Sequence, residues 1–304
     1  MQRLDFRAMG CQMLALCDSE QPDATEMLAL VPTWFEEWEN ALSRFRENSE
    51  LNALNRTEGK PIRVSETMAQ VLDAAITAAN ASQGLIVPTL LDALQTAGYN
   101  RSFELIEPSN EPTEHSQIID WQAIEFDKNN RTVRLPRGMH LDFGGVAKGW
   151  AADQAAARLS AITPALIDAG GDIAITARAN DQDWHIAIAD PFQPECDLRL
   201  LMLKHGGVAT SGRDYRRWQR NGKWQHHIID PRTGESAETD VMSATVIAPT
   251  TQEAEIAAKV ALILGSRAGL EWIEARATLA GLVVLEDGQV IHSARMENYL
   301  WRET

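Results

Sequence analysis

Cysteine is nearly absent from the chain. Cys11, Cys17 and Cys196 are the 3 in 304 residues. They form no CxxC pair and no metal-ligand spacing, which excludes a disulfide framework and a cysteine zinc site. Basic side chains are also outnumbered, with 28 Lys and Arg against 43 Asp and Glu and a net charge of −15. That balance excludes a nucleic-acid surface, which draws on clustered cations. A small anionic ligand would need a local nest of donors. No apolar run approaches the roughly 18 residues that a membrane span requires. The stretch AMGC, residues 8–11, has the make-up of a lipoprotein cleavage box, but MQRLDFR before it supplies no apolar segment, so an unprocessed, cytoplasmic chain is expected.

What is present points to a folded enzyme-sized body. The hydrophobic share of 44% suffices for a large core, and a single domain over residues 1–304 is expected. The opening RLDFRAMGCQMLALCD reads as strand, and residues 24–42 as a helix with Trp34, Phe35 and Trp38 inward. Ser65 caps a second helix whose apolar residues recur at three and four, ending at Gly84. EPSNEPTEHSQ, 107–117, is polar and aperiodic, so a surface loop or insertion is expected there. AIEFD, TVRL and HLDFG read as strands, residues 146–160 as a helix, and ALIDA, DIAIT, WHIAIAD and LRLLMLK as further strands. LAGLVVLEDGQVIHS reads as a hairpin turning at Asp287-Gly288. The tally is mixed α/β (α+β). GGVA occurs twice, a hint of duplication.

Four segments carry chemistry. In HLDFGGVAKGWAAD, a strand runs through Gly144-Gly145 into a helix, so free backbone N–H groups and Lys148 converge where an anion can sit. The same pattern also describes a tight turn with a surface lysine; it is neither GxGxxG nor a P-loop. ALIDAGGDI places Asp168 and Asp172 around Gly170-Gly171, leaving room for a flat ring or sugar against bare backbone. GGVATSGRDYRRW supplies the hydroxyls of Thr210 and Ser211, Gly212, and the cations Arg213, Arg216 and Arg217; HHIIDPRTG follows with His226, His227 and a turn at 230–234. In EAEIAAKVALILG, Glu255 and Lys259 lie one helical turn apart and share a face.

Taken in order, AMGCQM, LSRFRENSELNALN, GLIVPTLLDALQTAGY, DFGGVAKGWAAD, ALIDAGGDI, GVATSGRDYRRW, HHIIDPRTG and SATVIAPTTQEAEIAAKVALILG resemble the ApbE-type flavin transferases over most of the chain. The resemblance implies a mixed α/β fold with a duplicated T-fold-like core. It implies an enzyme that cleaves FAD, passes FMN to a Thr or Ser hydroxyl of a target flavoprotein subunit, and releases AMP. A magnesium ion bridging the FAD pyrophosphate belongs to that chemistry. By matching motif, Lys148 lies near the phosphates, Met9, Asp168, Gly170 and Gly171 help form the FAD pocket, Thr210, Ser211 and Gly212 line the cleft, and His227 is the base.

The chain departs from the family pattern in its metal-site helix. An Asp and a Thr, one turn apart, usually ligate the magnesium; here the frame holds Glu255 and Lys259. Glu255 keeps an oxygen ligand. A protonated lysine has donors only and cannot ligate, and at about 4 Å from Mg²⁺ it is repelled by about 8 kcal/mol at an effective dielectric near 20. The implied alternative is that the Lys259 ammonium, paired with Glu255, meets the pyrophosphate itself, and that transfer is weakened or lost in favour of FAD binding. As plain residues, Gln252, Glu255, Lys259 and Ser266 also read as a solvated polar stripe. Val87 stands where the family commonly has Asp before Pro88, and Asp168 where it often has Asn.

Overall fold

Met9 and Gly10 both take positive φ, 49° and 69°, as a type I′ hairpin turn requires. The opening stretch therefore folds as two antiparallel strands, Gln2–Ala8 and Cys11–Cys17, with Ala8 opposite Cys11. The structure, a computed structural model, describes residues 1–110, 118–179 and 181–302. Most of the expected loop, 111–117, lies outside the described residues; just before it, Ser109 forms a parallel bridge to Arg220. Packing divides the chain into two compact units: residues 1–34, 148–214 and 239–304, and residues 35–147 and 215–238. No described helix is long and apolar enough to cross a membrane.

The first unit is built on an eight-stranded sheet in the order Gln2–Ala8, Cys11–Cys17, Ala165–Ala169, Asp172–Ile175, Gly206–Gly212, Val241–Ala248, Ala280–Leu285 and Val290–His292. Every neighbouring pair is antiparallel. One face carries Leu166, Ile173, Ile175, Val208, Ile247 and Leu282, which pack with Trp184, Ile186 and Leu201 of a separate hairpin, Trp184–Ala189 with Asp197–Leu203. The other face receives the helix Thr251–Leu264. A Cβ on Gly207 would lie 2.2 Å from the Thr251 nitrogen, so glycine there lets the start of that helix lie directly on the sheet.

The second unit carries the helix Glu66–Ala81, whose N-cap Ser65 accepts from the Met68 amide at 3.1 Å. It ends as expected, with Gly84 at φ 84° and its amide donating to Ala79 O at 2.8 Å. Arg44 pairs with Asp142 at 2.9 Å, the side chains only 6% and 13% exposed. HLDFG does not form the expected strand. The Asn55 side chain takes a strand's place beside it, accepting from the Leu141 amide at 2.8 Å and donating to its carbonyl at 2.9 Å, so the backbone is satisfied without a ladder. The two GGVA copies differ too: the first is a turn opening the helix Ala147–Ser160, the second lies inside a strand. The repeat is one of sequence, not of local structure.

Gly207→Ala drives a methyl group into helix backbone, which has no rotamer to yield. Chemical denaturation should show a loss of about 1–3 kcal/mol.

Candidate functional site

Two helices of the first unit meet at their N-terminal turns. Thr250 caps Thr251–Leu264 by accepting from the Glu253 amide at 3.1 Å. Asp153, on the facing helix Ala147–Ser160, accepts from the next two free donors, the Thr251 amide at 2.9 Å and the Gln252 amide at 3.0 Å. A carboxylate there satisfies orphan N–H groups and sits favourably at the positive end of the helix. Burial nonetheless pushes its pKa up against the pull of the Gln252 and Thr251 hydrogen bonds. Gly149 lies at the crossing. A Cβ on it would lie 2.8 Å from Glu255 Oε2 and 3.0 Å from Gln252 backbone; without one, its amide donates to that oxygen at 2.9 Å.

This close approach seals Glu255 completely and assembles four charges. Lys259 Nζ donates to Glu255 Oε1 at 2.8 Å, Lys148 Nζ lies 3.9 Å from the same oxygen, and Lys148 also pairs with Asp172. The carboxylate side chains of Asp172 and Glu255 are 2% and 0% exposed, those of Lys148 and Lys259 18% and 13%. The carboxylates are closed in, and the lysine side chains are the more exposed members of the cluster. Burial works against the charge on Lys148, but Asp172 and then Glu255 outweigh it and hold its pKa above the ordinary lysine value. Burial likewise opposes ionisation of Glu255, yet Lys259 and Lys148 bring its pKa below the usual value. Burial pushes Asp172 up to about 6, with Lys148 pulling the other way.

The expected residues are arranged as follows. Lys148, Glu255 and Lys259 come together. Gly170 and Gly171 form a two-residue turn at φ 70° and 93°, closed by Asp168 Oδ1 accepting from the Gly171 amide at 2.7 Å. A Cβ on Gly170 would lie 2.7 Å from Cys11 Cβ, so this turn abuts the strand that follows the Met9 turn. Burial raises the Asp168 pKa, opposed by the Gly171 amide and by Lys148. Thr210 and Ser211 are successive strand residues and point to opposite faces. The register pairs Ala209 with Asp172 and Val208 with Ile173, so Ser211 shares the Asp172 face and Thr210 the opposite one. Ser211 is buried; Thr210 is exposed, its hydroxyl 2.9 Å from that of Thr245. Gly212 ends the strand, where a Cβ would lie 2.3 Å from the Asp214 carboxylate.

His226 and His227 belong to the second unit. His226 is buried; its Nε2 donates to Ala237 O at 3.0 Å and its Nδ1 accepts from the Ile228 amide at 3.3 Å. These partners hold it in a structural role, whereas His227 is half-buried. The expected turn is present, with Asp230 accepting from the Arg232 amide at 2.9 Å and from its guanidinium. Arg213 is bound into the framework through Val241 O at 2.8 Å and Glu286. Sequence reading missed Asp153 and Gly149 and saw Asp172 only as a turn residue. The signal was the spacing of Lys148, Gly149 and Asp153 on one helix, whose meaning depends on a partner helix about a hundred residues away.

Magnesium does not fit this donor set. Both Glu255 oxygens are committed, one to Lys259 and one to the Gly149 amide. Two ammonium groups already neutralise the two carboxylates. Among the described residues, no three His, Cys, Asp or Glu side chains are grouped to hold a metal ion. Asp153→Ala leaves two helix donors without their acceptor and should lower stability by about 1–2 kcal/mol in denaturant titration, with Asp153→Asn losing less.

The family model described as the ApbE family matches residues 9–283. An FAD:protein FMN transferase of Treponema pallidum (strain Nichols) is 30% identical over 299 residues, covering 91% of this chain and 82% of that protein. A protein of the same name from Salmonella typhimurium is 27% identical, covering 95% of this chain and 85% of its own length. The crystal structure of the ApbE protein from Thermotoga maritima superposes with a TM-score of 0.89 at 24% identity, covering 99% of both chains. The apo flavinyl transferase ApbE of Pseudomonas stutzeri gives 0.82 at 20% identity, covering 100% of this chain and 98% of that one. The mixed α/β fold expected from the sequence is the fold of these structures, and the chain belongs to the ApbE family.

Proposed function

We propose that this protein is an FAD:protein FMN transferase. The observation that carries this reading is the family match across residues 9–283 together with relatives of that name aligned over nine-tenths of the chain. In the reaction, the hydroxyl oxygen of an acceptor Thr or Ser attacks the FMN-side phosphorus of FAD. A new P–O ester forms, the P–O bond to the AMP portion breaks, AMP carries away the electron pair of that bond, and the hydroxyl proton passes to a base. Such a transfer depends mainly on positioning and on neutralising phosphate charge.

The residues take roles consistent with their chemistry. Lys148 and Lys259 supply positive charge to the pyrophosphate. Met9, Asp168 and the Gly170-Gly171 turn form part of the FAD pocket, and Ser211 and Gly212 line the cleft, whereas Thr210 faces the other side of the sheet. His227 is the base: its neighbour His226 is committed at both ring nitrogens to backbone partners. The protein partner is a flavoprotein subunit bearing a Thr or Ser acceptor.

Incubation of the purified chain with FAD and a candidate flavoprotein subunit, followed by intact mass measurement, should add one FMN to the acceptor and release AMP in equal amount. FAD converted to FMN and AMP without an adduct would mean that water is the acceptor. FAD bound and left intact would mean that only the binding function remains. His227→Gln should lower the transfer rate by about 10²–10⁴-fold with FAD affinity unchanged. A rate unaffected by that substitution would remove His227 from the chemistry.

A further inference from the structure

The four-charge cluster disagrees with the magnesium site that the family resemblance implies, and the disagreement is specific. Lys148 and Lys259 contribute two positive charges and Asp172 and Glu255 two negative, so the cluster is neutral without any added ion. Its exposure is lopsided: 2% and 0% for the carboxylates, 18% and 13% for the lysines. The lysine side chains are the more accessible part of the cluster, and they carry donors only, which suits an anion and not a cation.

Lys259 spends one of its three N–H donors on Glu255 and holds the ammonium close to the Lys148 ammonium through the shared Oε1. Glu255 is anchored by the Gly149 amide, so the lysine is positioned from its own helix by a carboxylate that cannot swing away. A diphosphate carries its charge on several oxygens and matches two neighbouring ammonium groups in the way it matches a metal ion.

We infer that the ammonium groups of Lys148 and Lys259 hold the diphosphate of FAD directly, so that FAD binding by this protein requires no divalent cation. The inference rests on the proposed use of FAD and adds how its diphosphate is recognised. Glu255 is then a positioning residue for Lys259, not a ligand.

The test is titration of the full-length chain with FAD, by calorimetry or flavin fluorescence, once in chelator and once in excess Mg²⁺. For the native chain the two Kd values should agree within about threefold. Lys259→Thr should weaken FAD binding in chelator by about tenfold or more, the loss of a charged hydrogen bond, and Lys259→Arg should retain most of the affinity. A native chain whose FAD affinity falls about tenfold or more in chelator, or which binds no FAD in either condition, overturns the inference. So does a Lys259→Thr variant that binds FAD in chelator as the native chain does. If Lys259→Thr does not fold, the native comparison decides alone. Flavin transfer that appears only with Mg²⁺, accompanied by chelator-sensitive binding, would retain the transferase and reject the inference. Chelator-resistant FAD binding without transfer to any acceptor would retain the inference and reject the transferase.

Discussion

The close crossing of two helix N-termini at Gly149 is the constraint on which the site depends. With no side chain at that position, Glu255 Oε2 reaches the Gly149 amide and the Glu255 carboxylate is wholly enclosed. A carboxylate so enclosed is costly unless it is paired and hydrogen-bonded. Lys259 and Lys148 meet that demand from two helices at once. Asp153 holds the same crossing from below, tying the first two amides of one helix to the other. Gly207 performs the equivalent service against the sheet, so the helix that carries Glu255 is fixed on two sides by residues that lack a Cβ.

The pairing is closed among the four side chains. Removing one charge would leave its partner's burial uncompensated, which is what makes breaking a buried pair costly. The cluster is therefore a unit, and the upward displacement of Asp172 beside the downward displacement of Glu255 shows how differently one enclosure treats two carboxylates: Glu255 has two cations near it, Asp172 lies deep with Lys148 as its principal partner. The arrangement leaves the two lysine side chains as the more accessible part of the unit.

Much of the architecture was legible because it is local. The Ser65 cap, the Gly84 stop, the Asp287-Gly288 hairpin and the strands around Gly170-Gly171 are each set by residues within one turn of one another. The Met9 turn was not, because methionine is not a residue that advertises positive φ. HLDFG has the composition of a strand, and only the distant side chain of Asn55 shows why it pairs with no neighbour. Thr210 and Ser211 were grouped by adjacency, although strand alternation sends them to opposite faces. For the candidate site, the identity of the charged residues was readable in the sequence. Their joining was not, since Lys148, Asp172 and Glu255 are assembled from three elements far apart along the chain.

The pair Glu255 and Lys259 shows where pattern and placement part. At i and i+4 on an amphipathic helix, it has the spacing of the commonest surface ion pair, which contributes a few tenths of a kcal/mol and is weakened by salt. The polar stripe that suggested this reading does not lie in solvent: Glu255 is 0% exposed and Lys259 13%. Apolar neighbours on both sides, Ala254, Ile256, Ala258 and Val260, are buried as well. A helix buried nearly all round leaves a charged pair only two supports, each other and the polar groups of adjoining elements. Here both are present, and the second is Lys148 and the Gly149 amide at the start of a helix that the family resemblance places beside the phosphates. The same two residues that would be unremarkable in water thus become, by enclosure alone, a sealed carboxylate with a partly exposed cation fixed to it.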